Sequence, residues 1–211
     1  MGVVRWHDVS IPLKSGMAVW PGDEPFALEA AARMAKGAEC NISRLSCSVH
    51  TGTHIDAPWH FEDDGKRIHE LDPNLFFGPA LIVDVPDVTL IMPEHLGSGP
   101  LPSRVLFKTR NSDIPFDGPF RGDYTALDTK TAQRLVELGV KLVGIDYLSV
   151  GPYQQPGQAT HRCLLGNDIV IVEGLRLAGF LAGLYEFVVL PLALIDADGS
   201  PCRAFIGVGE N

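Results

Sequence analysis

Five short apolar runs stand out along the chain, at residues 80–85, 105–109, 141–145, 169–172 and 187–195. Each is rich in Val, Ile or Leu and most are bounded by Gly, Pro or Asp, which is the pattern of buried β-strands. Pro191 interrupts the last run and predicts an edge or a bulge there, because proline cannot donate to a ladder. The clearest helix is 129–138. Asp128 is placed to cap its first turn, Ala132, Leu135 and Val136 form an apolar stripe, and Gly139 stands where a terminating glycine belongs. A strand at 141–145 follows two residues later, and a helix returning promptly to a buried strand predicts an α/β arrangement. The Pro93 to Gly97 stretch is too short to predict a second helix. Residues 111–124 are polar and rich in turn formers, and predict a flexible loop over a site.

The chain has 211 residues, enough for one domain spanning 1–211 with a sizeable core. With 26 acidic and 17 basic residues the net charge is −9 and no basic run occurs, which argues against nucleic acid or an anionic membrane surface as partner. No run approaches eighteen apolar residues and the first residues carry no signal-peptide core, so a cytoplasmic location is expected. Cys40, Cys47, Cys163 and Cys202 form no CxxC pair, and reduced, packed thiols are expected. Cys47 lies near His50, so a ligand role for it stays conceivable.

The chemistry concentrates at 50–61, HTGTHIDAPWHF, which holds three of the chain's seven histidines. His50, His54 and His60 offer imidazole nitrogens, and Asp56 offers a hard anionic oxygen, the usual donors of a divalent-metal site. A helix is disfavoured by β-branched Thr51, Thr53 and Ile55, by Gly52 and by Pro58. A straight strand is also unsuitable. Residues four apart would be separated by roughly 13 Å along it, whereas two imidazoles on one zinc each bring a nitrogen to about 2.1 Å from the ion. The expectation is a strand ending near His50, a curved loop permitted by Gly52, and a turn at Pro58 that presents His60. Distant partners are sought among polar residues beside buried runs. His161 precedes one strand, and Glu173 ends the run IVIVEG, where a carboxylate is costly unless paired or coordinated.

Taken together, HTGTHIDAPWHF, VWPGDEPF at 19–26, KLVGIDYLSVG at 141–151, THRCLLG at 160–166, IVEGL at 171–175 and YEFVVLPLAL at 185–194 resemble the metal-dependent cyclase-like hydrolase family, nearly end to end. The resemblance implies a single α/β domain with a central mixed sheet or barrel-like core flanked by helices, of the swivelling β/β/α type. It implies His50, His54 and Asp56 as metal ligands, Asp56 bridging to a second position completed by His161, with Glu173 reaching both positions. It implies His60 as proton donor and acceptor, and Trp20 as a substrate-packing residue. One or two ions are implied, zinc first and manganese second, and a homodimer or higher homo-oligomer. The implied activity is hydrolysis of a C–N amide bond in a small molecule, with an arylformamide such as N-formylkynurenine as first substrate. Opening of a lactone or cyclic imide is the alternative within enzymes, and a non-catalytic metal or small-ligand binder the alternative outside them. No GxSxG elbow supports a serine hydrolase.

Overall fold

The computed structural model describes residues 4–209. In chain order the strands are β1 (Val4–Asp8), β2 (Ala27–Ala32), β3 (Ile42–Ser46), β4 (His54–Asp56), β5 (Phe77–Val85), β6 (Leu90–Ile91), β7 (Arg104–Thr109), β8 (Ala126–Leu127), β9 (Leu142–Ile145), β10 (Val170–Glu173), β11 (Gly183–Pro191) and β12 (Gly199–Gly209). Among the described residues the α-helices are α1 (Thr129–Glu137) and α2 (Ala159–Leu165).

Seven strands close into a ring in the order β12-β11-β5-β7-β9-β10-β4, and the pairing of β4 with β12 completes it. β5, β7, β9 and β10 run parallel, and the remaining contacts are antiparallel, so the barrel is mixed. β1 adds to the outside edge of β12, and β2 with β3 forms a separate two-stranded ribbon. This is the single α/β domain with a barrel-like core that the resemblance implies.

Alternation along the strands divides the apolar residues into two layers. Ile55, Ile82, Leu106, Leu142, Val172, Phe187 and Ile206 fill the barrel interior. Val105, Phe107, Val143, Ile145 and Ile171 face outward and pack beneath Leu135 of α1 and Leu164 of α2. The helices cover only this side. Across β1, β11 and β5 the outer face stays open, leaving Trp6, Phe77, Leu184 and Leu190 exposed.

Four of the five predicted strand runs fall within β5, β7, β9 and β10 to within a residue or so. The fifth starts later and runs farther than β11. Pro191 is the last residue of β11 and sits at a local edge, as expected: the ladder to β5 ends at Val188, and Pro191 pairs only with Cys202 of β12, so the missing donor interrupts nothing. The helix at 129–138 is α1, with the Asp128 carboxylate accepting from the Lys130 amide at 2.8 Å and Gly139 at φ +74°. Pro93–Leu96 forms only a 3-10 turn. The 111–124 segment lies beside the site, but it is tied down. Ser112 donates to the buried Asp146 through its amide and its hydroxyl, and the Arg121 amide donates to the Tyr147 hydroxyl at 2.8 Å.

Candidate metal centre

β4 is three residues long, yet it closes the barrel and carries the chemistry. Its central residue, Ile55, points into the core, so His54 and Asp56 point out toward the helical layer. On β10 the same alternation puts Val172 inside and Glu173 outside, opposite His54. The preceding loop bends at Gly52, φ +67°, and returns His50 to the same cluster. After β4, Pro58 opens a 3-10 turn that ends on His60. His161 arrives on the first turn of α2 and is buried there. It was legible in the sequence only as a candidate before a strand, with no helix predicted around it.

The six residues expected at the site therefore meet in one place. His50 Nδ1 is 2.8 Å from Asp56 Oδ1. His54 Nε2 lies 3.4 Å from both Asp56 Oδ1 and Glu173 Oε2. His161 Nε2 is 3.3 Å from Glu173 Oε1, which also accepts from the Val150 amide at 2.7 Å. Among these five residues two donor groups form, His50–His54–Asp56 and Asp56–His161–Glu173, and they share Asp56. His60 stands at the rim, its ring centroid 4.0 Å from that of His50. The four cysteines are free and none joins a donor group among the described residues.

One residue here was not anticipated. Asp198 Oδ2 lies 2.8 Å from His50 Nε2 and 2.9 Å from His60 Nδ1. Its sequence surroundings, IDADGSP, read as an acidic turn. Only the pairing of Gly199 with Asp56 reveals that this aspartate enters the cluster while Asp196 stays in solvent. Gly199 is needed there too, because a Cβ would approach His50 Cε1 to 2.9 Å.

The donor set fits a divalent cation. Asp56 and Glu173 are buried, and no Lys or Arg pairs with Asp56, Glu173 or Asp198 among the described residues. Buried carboxylates without a cation are strongly disfavoured. The His54 ring makes the need explicit. Its Nδ1 faces the Gly52 carbonyl at 3.0 Å and must donate to it, so in the neutral ring the Nε2 lone pair is aimed at two carboxylate oxygens. Without a metal, protons substitute. Burial works against protonation of His54, but the Asp56 and Glu173 carboxylates outweigh it and raise its pKa to about 10. Burial likewise opposes charge on His50, and Asp198 with Asp56 raises it to about 9. Asp56 is held well below the usual carboxylate range by His50 and His54 despite its burial.

The cluster floors a cleft of about 590 Å³, whose walls include Trp20, Phe61, Leu148, Ser149 and Gln158. Trp20 is half-buried, set edge-on between Phe120 at 5.1 Å and Tyr153 at 5.6 Å, with part of its ring facing the cleft. Packing and cleft lining are thus both true of it.

The family model of the Cyclase family matches residues 7–152. The kynurenine formamidase of Bacillus cereus is 39% identical over 208 residues, which is 98% of this chain and 99% of that protein. A solved structure described as a potential metal-dependent hydrolase with cyclase activity superposes with a TM-score of 0.84 at 30% identity, covering 99% of this chain and 100% of the other. Isatin hydrolase A from Labrenzia aggregata reaches the same TM-score, 0.84, at 22% identity, covering 98% and 94% of the two chains, and so shares the fold. The chain belongs to the Cyclase family, as the resemblance read from its sequence implied.

Proposed function

We propose that this protein is a metal-dependent amidohydrolase that cleaves the C–N bond of an aromatic formamide, with N-formylkynurenine as the leading substrate. The observation that carries the reading is the meeting, in one aromatic-walled cleft, of the His50–His54–Asp56 and Asp56–His161–Glu173 groups with His60 at their rim. The full-length similarity to a kynurenine formamidase supports the choice of bond. Such an activity belongs to tryptophan breakdown, and we place it in the cytoplasm; no helix among the described residues is long and apolar enough to cross a membrane.

Zinc is the first choice of ion and manganese the second, with Asp56 shared between two positions. When bound, a divalent cation supplies an acidified water at neutral pH and stabilises negative charge at the scissile carbonyl. The chain's own residues do the rest. Trp20 and Phe61 line the cleft with flat apolar faces that suit an aryl group. His60 takes the proton of the attacking water and delivers it to the departing amine, work suited to an imidazole. The open apolar face bearing Trp6, Phe77, Leu184 and Leu190 supports assembly as a homodimer.

The test is a hydrolysis panel of aryl formamides, lactones and cyclic imides with zinc- or manganese-reloaded protein. Preferential release of formate from formamides is expected. Faster opening of cyclic imides would transfer the same site to the alternative substrate class, and inactivity on all three with metal bound would make the protein a binder.

A further inference from the structure

The Asp198 carboxylate faces two imidazole nitrogens with a single oxygen: Oδ2 lies 2.8 Å from His50 Nε2 and 2.9 Å from His60 Nδ1. An ionised carboxylate can only accept hydrogen bonds. Both ring nitrogens must therefore carry protons, and in each neutral ring the other nitrogen is bare. For His50 the bare atom is Nδ1, which faces Asp56 Oδ1 inside the donor group. For His60 it is Nε2.

The position of Asp198 is fixed by the barrel itself. Its backbone carbonyl accepts from the Ala57 amide at 2.9 Å, and the next residue, Gly199, pairs with Asp56 in the β4–β12 ladder. β4 thus supplies His54 and Asp56 to the donor groups and, together with Ala57, holds Asp198 in register along its edge with β12. The two rings it bonds lie 4.0 Å apart at an interplanar angle of 32°, so neither can rotate without disturbing its neighbour.

We infer that Asp198 is a positioning residue that sets two tautomers at once, Nε2–H on the metal-facing His50 and Nδ1–H on the proton carrier His60. The inference rests on the metal-dependent reading of the site. It links ligand and proton carrier through one oxygen, so that the ring expected to move protons presents an unprotonated nitrogen whenever the ligand ring is correctly turned. A carboxylate behind a metal-bound imidazole raises its basicity and fixes its orientation. A carboxylate behind a general base does the same for proton transfer. Here one side chain serves both.

The decisive experiment reads the tautomers directly, on ¹⁵N-histidine-labelled, zinc-loaded protein, by long-range ¹H–¹⁵N correlation. His60 is assigned by the loss of its signals in His60→Gln. In the unmodified protein His60 is expected as the Nδ1–H form. In Asp198→Ala its signals should move to the Nε2–H form that an unconstrained imidazole favours in water. Zinc content should stay unchanged, while kcat on the best formamide falls roughly 10–100-fold, the usual range for such outer partners, at a KM within about twofold. An Nε2–H His60 in the unmodified protein would overturn the inference, and so would an unmoved tautomer in Asp198→Ala. Loss of zinc in step with activity would make Asp198 a ligand instead. The tautomer measurement needs no substrate, so it stands even if no formamide is hydrolysed and the proposed activity fails.

Discussion

Glu173 stands directly across the β4–β10 ladder from His54, and the 3.4 Å between its Oε2 and the His54 Nε2 follows from that register. A slip of one residue would turn His54 and Asp56 into the barrel and Ile55 out into the cleft. Barrel closure and assembly of the donor cluster are therefore one event.

Glu173→Gln tests this relationship. The change keeps the shape and the neighbouring Val150 hydrogen bond but removes the charge that faces both His54 and His161. At least one equivalent of metal should be lost from the purified protein, measured by elemental analysis. Full retention would remove Glu173 from the ligand set.

Stripping the metal should make stability depend on pH. The His50 and His54 pKa values stand above their ordinary 6.5, at about 9 and about 10, so their contribution is complete below pH 6.5 and disappears as pH rises through 9 to 10. The carboxyls of Asp56, Glu173 and Asp198 are lowered, so theirs is complete above the ordinary 3.8 to 4.5 and is lost as pH falls. Metal-free protein should be most stable between about pH 4.5 and 6.5 and should melt at progressively lower temperature toward pH 9. A bound cation displaces the imidazole protons, so the gain in melting temperature on adding zinc should widen over that range. A constant gap would mean that these histidines do not exchange protons for metal.

Gly174 reports on how tightly the site is built. It has φ +70°, and a Cβ there would lie 2.3 Å from the Gly52 carbonyl oxygen, the atom that orients His54. Gly174→Ala should cost more than about 1 kcal/mol of stability and weaken metal binding as well. Gly139 makes the control: its φ is +74°, but nothing lies within 4 Å of the added methyl. Gly139→Ala should lower the melting temperature while leaving metal affinity unchanged.

The sequence revealed those parts of the fold whose residues are uniformly apolar. The parallel strands β7, β9 and β10 are buried on both faces and read as continuous runs, and in β5 the run falls on the better-covered half, from Ala80 to Val85. β12, the longest strand, was missed because GSPCRAFIGVG mixes Gly, Pro and Arg, as suits a strand paired on both edges but open on one face. α2 was missed because its seven residues are too few to show a period. In the site, His50, His54, Asp56 and His60 were legible from local spacing, and His161 and Glu173 as polar residues beside buried runs whose ligand roles came from the family resemblance. Asp198 was not. Its role depends on a pairing between residues far apart in sequence, and an aspartate in a turn has the same composition whether it faces solvent or an imidazole.

Trp20→Ala separates substrate contact from packing. The ring touches Phe120 and Tyr153 and also lines the cleft. If it stacks on the aryl group, losing one aromatic pair worth about 1 kcal/mol should raise KM for an aryl formamide by roughly 5–10-fold. The KM of a small aliphatic formamide should stay where it was. An unchanged KM on both assigns Trp20 to the wall alone.

His60→Ala asks which side of the cluster His60 belongs to. Its Nδ1 can be grouped with His50 and Asp198 as a third set of donors, so a ligand role is geometrically open. Two features favour proton transfer. The ring is held through that same nitrogen at 2.9 Å from Asp198, and His60 is more exposed than His54 and His161, as a group exchanging protons with substrate needs to be. The variant should therefore keep its full complement of zinc and lose turnover by about 10²-fold or more. Metal content and kcat measured on the same preparation decide the matter: a joint loss makes His60 a ligand, and full activity removes it from the mechanism.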